Sequence, residues 1–266
     1  MKNLPEILTF IKSVLQTVPF TLHESDNDGR NNSAISEKII IDIIKTIVKE
    51  SCIRVPSVRS WYDILLYDTD YGWIPVNIKI TTTMSADNIG NLACCVQSFT
   101  DYVIDLERNY DSSTLSKILI DSFKTKKYNT SFKKDYFFLV INKNCLISEQ
   151  RKENDIIINS ILSIYKFTYN CNNLPFQIKW SNNKVAIEIP IIQQIKKFQN
   201  LFKEAELPWS VDFINNMKNI ILTDDELIII DKSDIIDNHS ICSDYVVTSM
   251  SLSMSLSQNF SDDDSL

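Results

Sequence analysis

Three residues in the first third of the chain have the types and spacing needed for phosphoryl chemistry. Asp63 is followed, after thirteen intervening residues, by Asn77-Ile78-Lys79. On the two arms of a β-hairpin these side chains can meet, and residues 77 and 79 share one face because side chains alternate along a strand. A carboxylate so placed binds a divalent cation that neutralises charge developing on a phosphate. A neighbouring lysine stabilises the pentavalent transition state, or orients and helps deprotonate the attacking water. Magnesium suits such an oxygen-rich site with few protein ligands. The second acid of a carboxylate pair is missing, with Asn77 standing in its place. By spacing alone, a polar hairpin with a surface lysine accounts for the same residues at least as well.

The elements that must position these groups follow from hydrophobic periodicity. Tyr62 to Tyr67 reads as a short strand, Asp68 to Gly72 as a turn, and Trp73 to Thr82, rich in β-branched residues, as the second arm of the hairpin. Before it stand two amphipathic helices. The first runs from Leu4 to Val18, with Asn3 as a candidate N-cap and Pro5 tolerated in the first turn. The second runs from Ser33 to Glu50, after a polar loop over residues 24–32. After the hairpin, Ala86 to Leu106 reads as helix, and the dense apolar run Asp135 to Ile141 as a buried central strand. Ile156 to Phe167 reads as a further helix. Leu174 to Trp180 and Lys184 to Ile189 read as a second hairpin turning at Ser181-Asn182-Asn183, and Ile191 to Lys203 as a helix.

Composition excludes several function classes. The chain holds three glycines, Gly29, Gly72 and Gly90, and no GxGxxG or GxxxxGK[ST] pattern, so no nucleotide cofactor is expected. None of the six cysteines forms a CxxC pair, and His23 and His239 are far apart, which argues against a structural zinc site. No leader and no bilayer-length apolar run is evident, so an intracellular, cytoplasmic location with reduced cysteines and no membrane partner is expected. The net charge of −7 is concentrated at one end. From Asp224 onward ten acids face one base, Lys232, which leaves residues 1–223 with 26 bases and 24 acids. The organisation expected is one domain over 1–223, an acidic segment over 224–248, and a low-complexity tail over 249–266 that lacks the means to bury a core.

The words around the hairpin carry more than its spacing does. YDILLYDTDYGWIPVNIKITTTMSADNIGN, FKKDYFFLVINK, NNLPFQIKW and the earlier GRNNSAISE together resemble type II restriction endonucleases of the ScaI-type, EcoRV-like branch of the PD-(D/E)XK nuclease superfamily. The resemblance covers about residues 28–190. It implies an α/β fold with a mixed, four- or five-stranded sheet flanked by helices. It also implies magnesium-dependent hydrolysis of double-stranded DNA at a short sequence, leaving 5′-phosphate ends. Asp63 would be the metal-binding aspartate, Lys79 the motif lysine, and Glu37 the acidic residue that the preceding helix adds. Asn77 departs from the pattern, and Glu37 is the carboxylate expected to make up the loss. An EcoRV-like architecture further implies minor-groove approach and blunt products.

Several residues are candidates for DNA contact. Gln177 can bond an adenine edge and Lys179 a guanine or a phosphate. With Phe176 and Ile178 in a core, the same pair is equally an ordinary solvated strand face. Thr81, Thr82 and Ser85 follow the lysine and could bond phosphate oxygens. The basic stretch ending in Lys133 and Lys134 could track a backbone. Cutting both strands of a palindrome requires two active sites, so a homodimer is expected. Two alternatives remain: a structure-specific repair or recombination nuclease, and a catalytically inactive DNA-binding relative.

Overall fold

The computed structural model describes residues 4–22, 29–56, 60–81, 86–89, 92–131, 133–143, 155–168, 176–203, 211–220 and 222. The expected acidic segment and low-complexity tail lie outside these residues, as do Asn3, Thr82 and Ser85.

Two helices lead, α1 (Glu6–Thr17) and α2 (Gly29–Ile47), followed by strands β1 (Ile53–Arg54), β2 (Ile64–Asp68), β3 (Gly72–Thr81) and β4 (Ala86–Ile89). Helices α3 (Ala93–Phe99) and α4 (Ser112–Lys124) cross over to β5 (Phe137–Asn142) and β6 (Ile156–Ser160). Then come β7 (Phe167–Thr168), β8 (Phe176–Lys179), α5 (Ile191–Lys203) and α6 (Val211–Lys218). The architecture is mixed α/β. A five-stranded sheet has the order β1-β2-β3-β5-β6, with β3 and β5 parallel and the other neighbours antiparallel. A smaller antiparallel sheet has the order β4-β8-β7.

Alternation along the strands sorts the core into two layers. Ile64, Leu66, Val76, Ile78, Phe137, Leu139 and Ile141 pack with Ile7, Leu8, Ile11 and Leu15 of α1 and Ile40 and Ile44 of α2. Leu65, Phe138, Val140 and Ile157 face the other way, into a cluster shared with α3, α4, α5, α6 and the small sheet. With both faces covered, β5 is apolar throughout, as its sequence FFLVIN requires.

The two sides are tied at the hairpin turn. No side chain of its own caps α1, and the N-cap position is held by Pro5. Instead Asp68, at the end of β2 and 1% exposed, accepts the Ile7 N–H through Oδ2 at 3.2 Å. Its Oδ1 accepts the N–H groups of Asp70 and Tyr71 at 3.0 and 3.2 Å, which shapes the turn into β3. Gly72 closes that turn at φ +69°, a left-handed conformation that glycine adopts without strain.

Four expectations are corrected. The second helix begins at Gly29, so residues 29–32 are helical and not loop. The helix expected over Ala86 to Leu106 is a strand, then a short helix ending at Phe99. Residues 86–89 find their backbone partners on β8, an interaction that periodicity does not register. The helix expected over Ile156 to Phe167 is strand β6, a 3-10 turn over Ile161–Ser163, and β7. All of Ile156 to Ser160 is buried, so burial carries no helical period there, and the β-branched isoleucines favour the strand. Finally, Lys184 to Ile189 forms no strand. Asn183, 1% exposed, accepts the N–H groups of Tyr165 and Lys166 and donates to the carbonyls of Lys166 and Lys179. It ties the turn after β8 to the start of β7, and no returning strand forms.

Candidate active site

Pairing of β2 with β3 sets Ile64 opposite Val76, and one step back along the same register sets Asp63 opposite Asn77. The Asp63 backbone N–H donates to the Val76 carbonyl at 3.0 Å. In return, the Ile78 N–H donates to Asp63 Oδ2 at 2.6 Å. The hairpin therefore holds the carboxylate against the segment that carries Asn77 and Lys79. Burial raises the Asp63 carboxyl above its ordinary pKa, while the Ile78 N–H and then the Lys79 ammonium pull it back part of the way. Desolvation disfavours the carboxylate anion more than its present neighbours stabilise it, which is the electrostatic condition of a site suited to a cation.

Asn77, Lys79 and Thr81 share the face of β3 opposite Val76 and Ile78. Asn77 Oδ1 is buried and has no hydrogen-bond partner among the described residues, and the same holds for Thr81 Oγ1. Leaving a buried acceptor unpaired costs about 1–3 kcal/mol. The other end of the Asn77 amide bonds the hydroxyl of Tyr136. That hydroxyl donates its proton to the Trp61 carbonyl at 2.8 Å, and the Trp61 ring stacks on the Tyr136 ring at 5.6 Å and 20°. Behind the site, Cys94 and Cys95 of α3 are fully buried, and burial pushes the Cys95 thiol well up, so that it stays protonated and apolar.

The donors fit a hard divalent cation. Asp63 supplies a carboxylate and Asn77 an amide oxygen with an empty lone pair direction, both oxygen ligands of the kind magnesium takes. Among the described residues, no group of three or more His, Cys, Asp or Glu side chains gathers for a metal.

Glu37 is half-buried on α2. Its neighbours Ser36, Ile40 and Ile44 are buried, and Ile40 and Ile44 join the cluster beneath Val76 and Ile78. The helix therefore covers the face of the sheet opposite the one that carries Asn77 and Lys79. The structure brings Asp63, Asn77, Lys79 and Thr81 together along one hairpin, and Glu37 belongs to the helix that packs on Val76 and Ile78.

In β8, Phe176 and Ile178 are fully buried, Gln177 is half-buried and Lys179 exposed. Gln177 pairs with Asn88 and Lys179 with Ala86 of β4, the strand that follows β3 in the chain. Lys133 is exposed. Lys134 is engaged within the protein: its ammonium donates to the carbonyls of Thr100, at 2.8 Å, and Tyr102. Burial lowers its pKa to about 8. Through these two carbonyls it fastens the chain that leaves α3.

Sequence reasoning missed Tyr136. Its one signal is a hydroxyl at the head of an otherwise apolar run, DYFFLVI, where a buried polar group must find partners. No family model matches the chain, and no curated protein matches it. Among the described residues, no helix is long and apolar enough to cross a membrane.

Proposed function

We propose that this chain is a magnesium-dependent endonuclease that cuts double-stranded DNA at a defined sequence and leaves 5′-phosphate ends. The observation that supports this most is the Asp63 carboxylate bound to the β3 backbone beside the unpartnered oxygen of Asn77, with Lys79 on the same strand face. The five-stranded mixed sheet flanked by helices agrees with the coarse architecture the sequence resemblance implies. Assignment to the PD-(D/E)XK nuclease core is part of the proposal.

Asp63 and Asn77 Oδ1 would hold the magnesium ion. When bound, the ion supplies positive charge to a scissile phosphate and lowers the pKa of a water. The Lys79 ammonium would stand against the same phosphate, where it would stabilise charge on a non-bridging oxygen and orient the attacking water. Two such sites, one in each subunit of a homodimer, would cut both strands. Gln177, Lys179 and Lys133, together with Thr82 and Ser85, are the proposed DNA contacts.

Plasmid DNA incubated with the protein and magnesium, followed by sequencing of the ends, tests this. Discrete ends at one motif support the proposal. Scattered or structure-dependent ends point to a repair or recombination nuclease. No cleavage with either magnesium or manganese points to an inactive DNA-binding relative, the reading that Asn77 in place of an acid favours. Lys79→Ala should lower cleavage about 100- to 1,000-fold and leave calcium-supported DNA binding intact. Glu37→Gln separates the two sources of a second ligand: a steep loss assigns Glu37 to the site, whereas wild-type rates leave Asn77 alone beside Asp63.

A further inference from the structure

We propose that Tyr136 is the positioning residue of this site: its hydroxyl fixes the Asn77 amide so that the carbonyl oxygen, and not the NH2 group, is presented to a cation. This rests on the reading of Asp63 and Asn77 as cation ligands. The oxygen and nitrogen ends of a primary amide are nearly the same size, so packing alone does not choose between them. Hydrogen bonding does. The Tyr136 hydroxyl has one proton, and it is donated to the Trp61 carbonyl at 2.8 Å. Toward Asn77 the hydroxyl oxygen can only accept, so Asn77 must offer its NH2. Oδ1 is thereby turned away from Tyr136 and left buried without a partner. The reversed amide would set two oxygens against each other and point N–H groups at the cation.

The ring that does this is held on several sides. Tyr136 is 2% exposed, stacks on Trp61, and meets Phe138 edge-on at 5.2 Å and 76°. Its backbone N–H donates to Asp135 Oδ1 at 2.7 Å. An aspartate at position 77 would need no such orientation, because both of its oxygens accept. The tyrosine is what allows an asparagine to serve where a carboxylate would serve unaided.

That difference gives the test. Magnesium alone is titrated against the full chain without DNA, and the shift in unfolding temperature is read for four proteins: wild type, Tyr136→Phe, Asn77→Asp, and the double variant. Tyr136→Phe should weaken magnesium binding about tenfold or more, the loss typical when an outer partner of a ligand is removed. In the Asn77→Asp background the same change should alter affinity less than twofold. Equal loss in both backgrounds, or no loss in either, overturns the proposal. A wild-type protein that does not respond to magnesium removes the cation site itself, and the positioning role with it. A response insensitive to Tyr136 removes only the latter. If Tyr136→Phe fails to fold, side-chain NMR of wild type decides. One Asn77 NH2 proton should be shifted downfield and protected from exchange, and two protons exchanging at free-amide rates would overturn the assignment.

Discussion

Asn77→Leu should make the metal-free protein no less stable, and by the balance of its contacts slightly more so. Asn77 makes two opposing contributions. Its Oδ1 is buried without a partner, which costs about 1–3 kcal/mol, and its amide bonds Tyr136, which returns about 1 kcal/mol. Leucine has similar volume and removes both, while Tyr136 keeps its bond to the Trp61 carbonyl. The net expectation is a gain of about 0–2 kcal/mol, or about 0–8 °C for a domain of this size. Urea unfolding in EDTA, followed by fluorescence and circular dichroism, measures it. Magnesium should then reverse the order. At ten times its dissociation constant, the ion adds about 1.4 kcal/mol to a protein that binds it. The wild type should gain that amount and the leucine variant none of it. A metal-free leucine variant that loses more than about 1 kcal/mol refutes the reasoning, since Oδ1 would then have a partner in solution.

Other outcomes follow from the same contacts. Burial raises the folded pKa of Asp63 above the unfolded value near 3.9. A carboxyl of this kind contributes stability below the unfolded value and loses it as pH rises through the folded one. Asp63→Asn, which keeps an acceptor for the Ile78 N–H, should therefore be more stable than wild type in EDTA at pH 7. The gap should close below about pH 4, and urea midpoints with a gap that persists in acid would contradict this. Lys134 shifts the other way: with a folded pKa of about 8, the unfolded chain binds the extra proton, so stability rises with pH from about 8 to its ordinary value near 10.4. Lys134→Met should flatten that slope in thermal melts across the alkaline range. Asp68→Ala strands the N–H groups of Ile7, Asp70 and Tyr71 and should cost about 2–4 kcal/mol in urea unfolding. A loss under about 1 kcal/mol would show that Asp68 does not join α1 to the hairpin turn.

The hairpin was legible because its signals are local. A turn ending in glycine joins an apolar run to a β-branched one, and the pairing register then follows from turn length. That register alone sets Asp63 opposite Asn77. The run DYFFLVI was legible for a related reason: a strand covered on both faces must be apolar at every position. The same logic misled at Ile156 to Ser160, where burial on both sides leaves no period by which strand differs from helix. Residues 86–89 were illegible because their partner strand lies about ninety residues later.

For the site, residue types and short-range spacing determined which groups could act and which strand face they share. Asp63, Asn77, Lys79 and Thr81 lie within nineteen consecutive residues, and strand alternation is a property of the backbone itself. Only the tertiary structure decided the rest. The packing of α2, the helix that carries Glu37, on Val76 and Ile78 is set by Ile40 and Ile44. The crossover through α3 and α4 brings Tyr136 beside Asn77. The hydroxyl's single proton is given to the Trp61 carbonyl, and the Asn77 oxygen is left buried without a partner. Such facts depend on which elements are packed together across long sequence separations, and no local pattern records them.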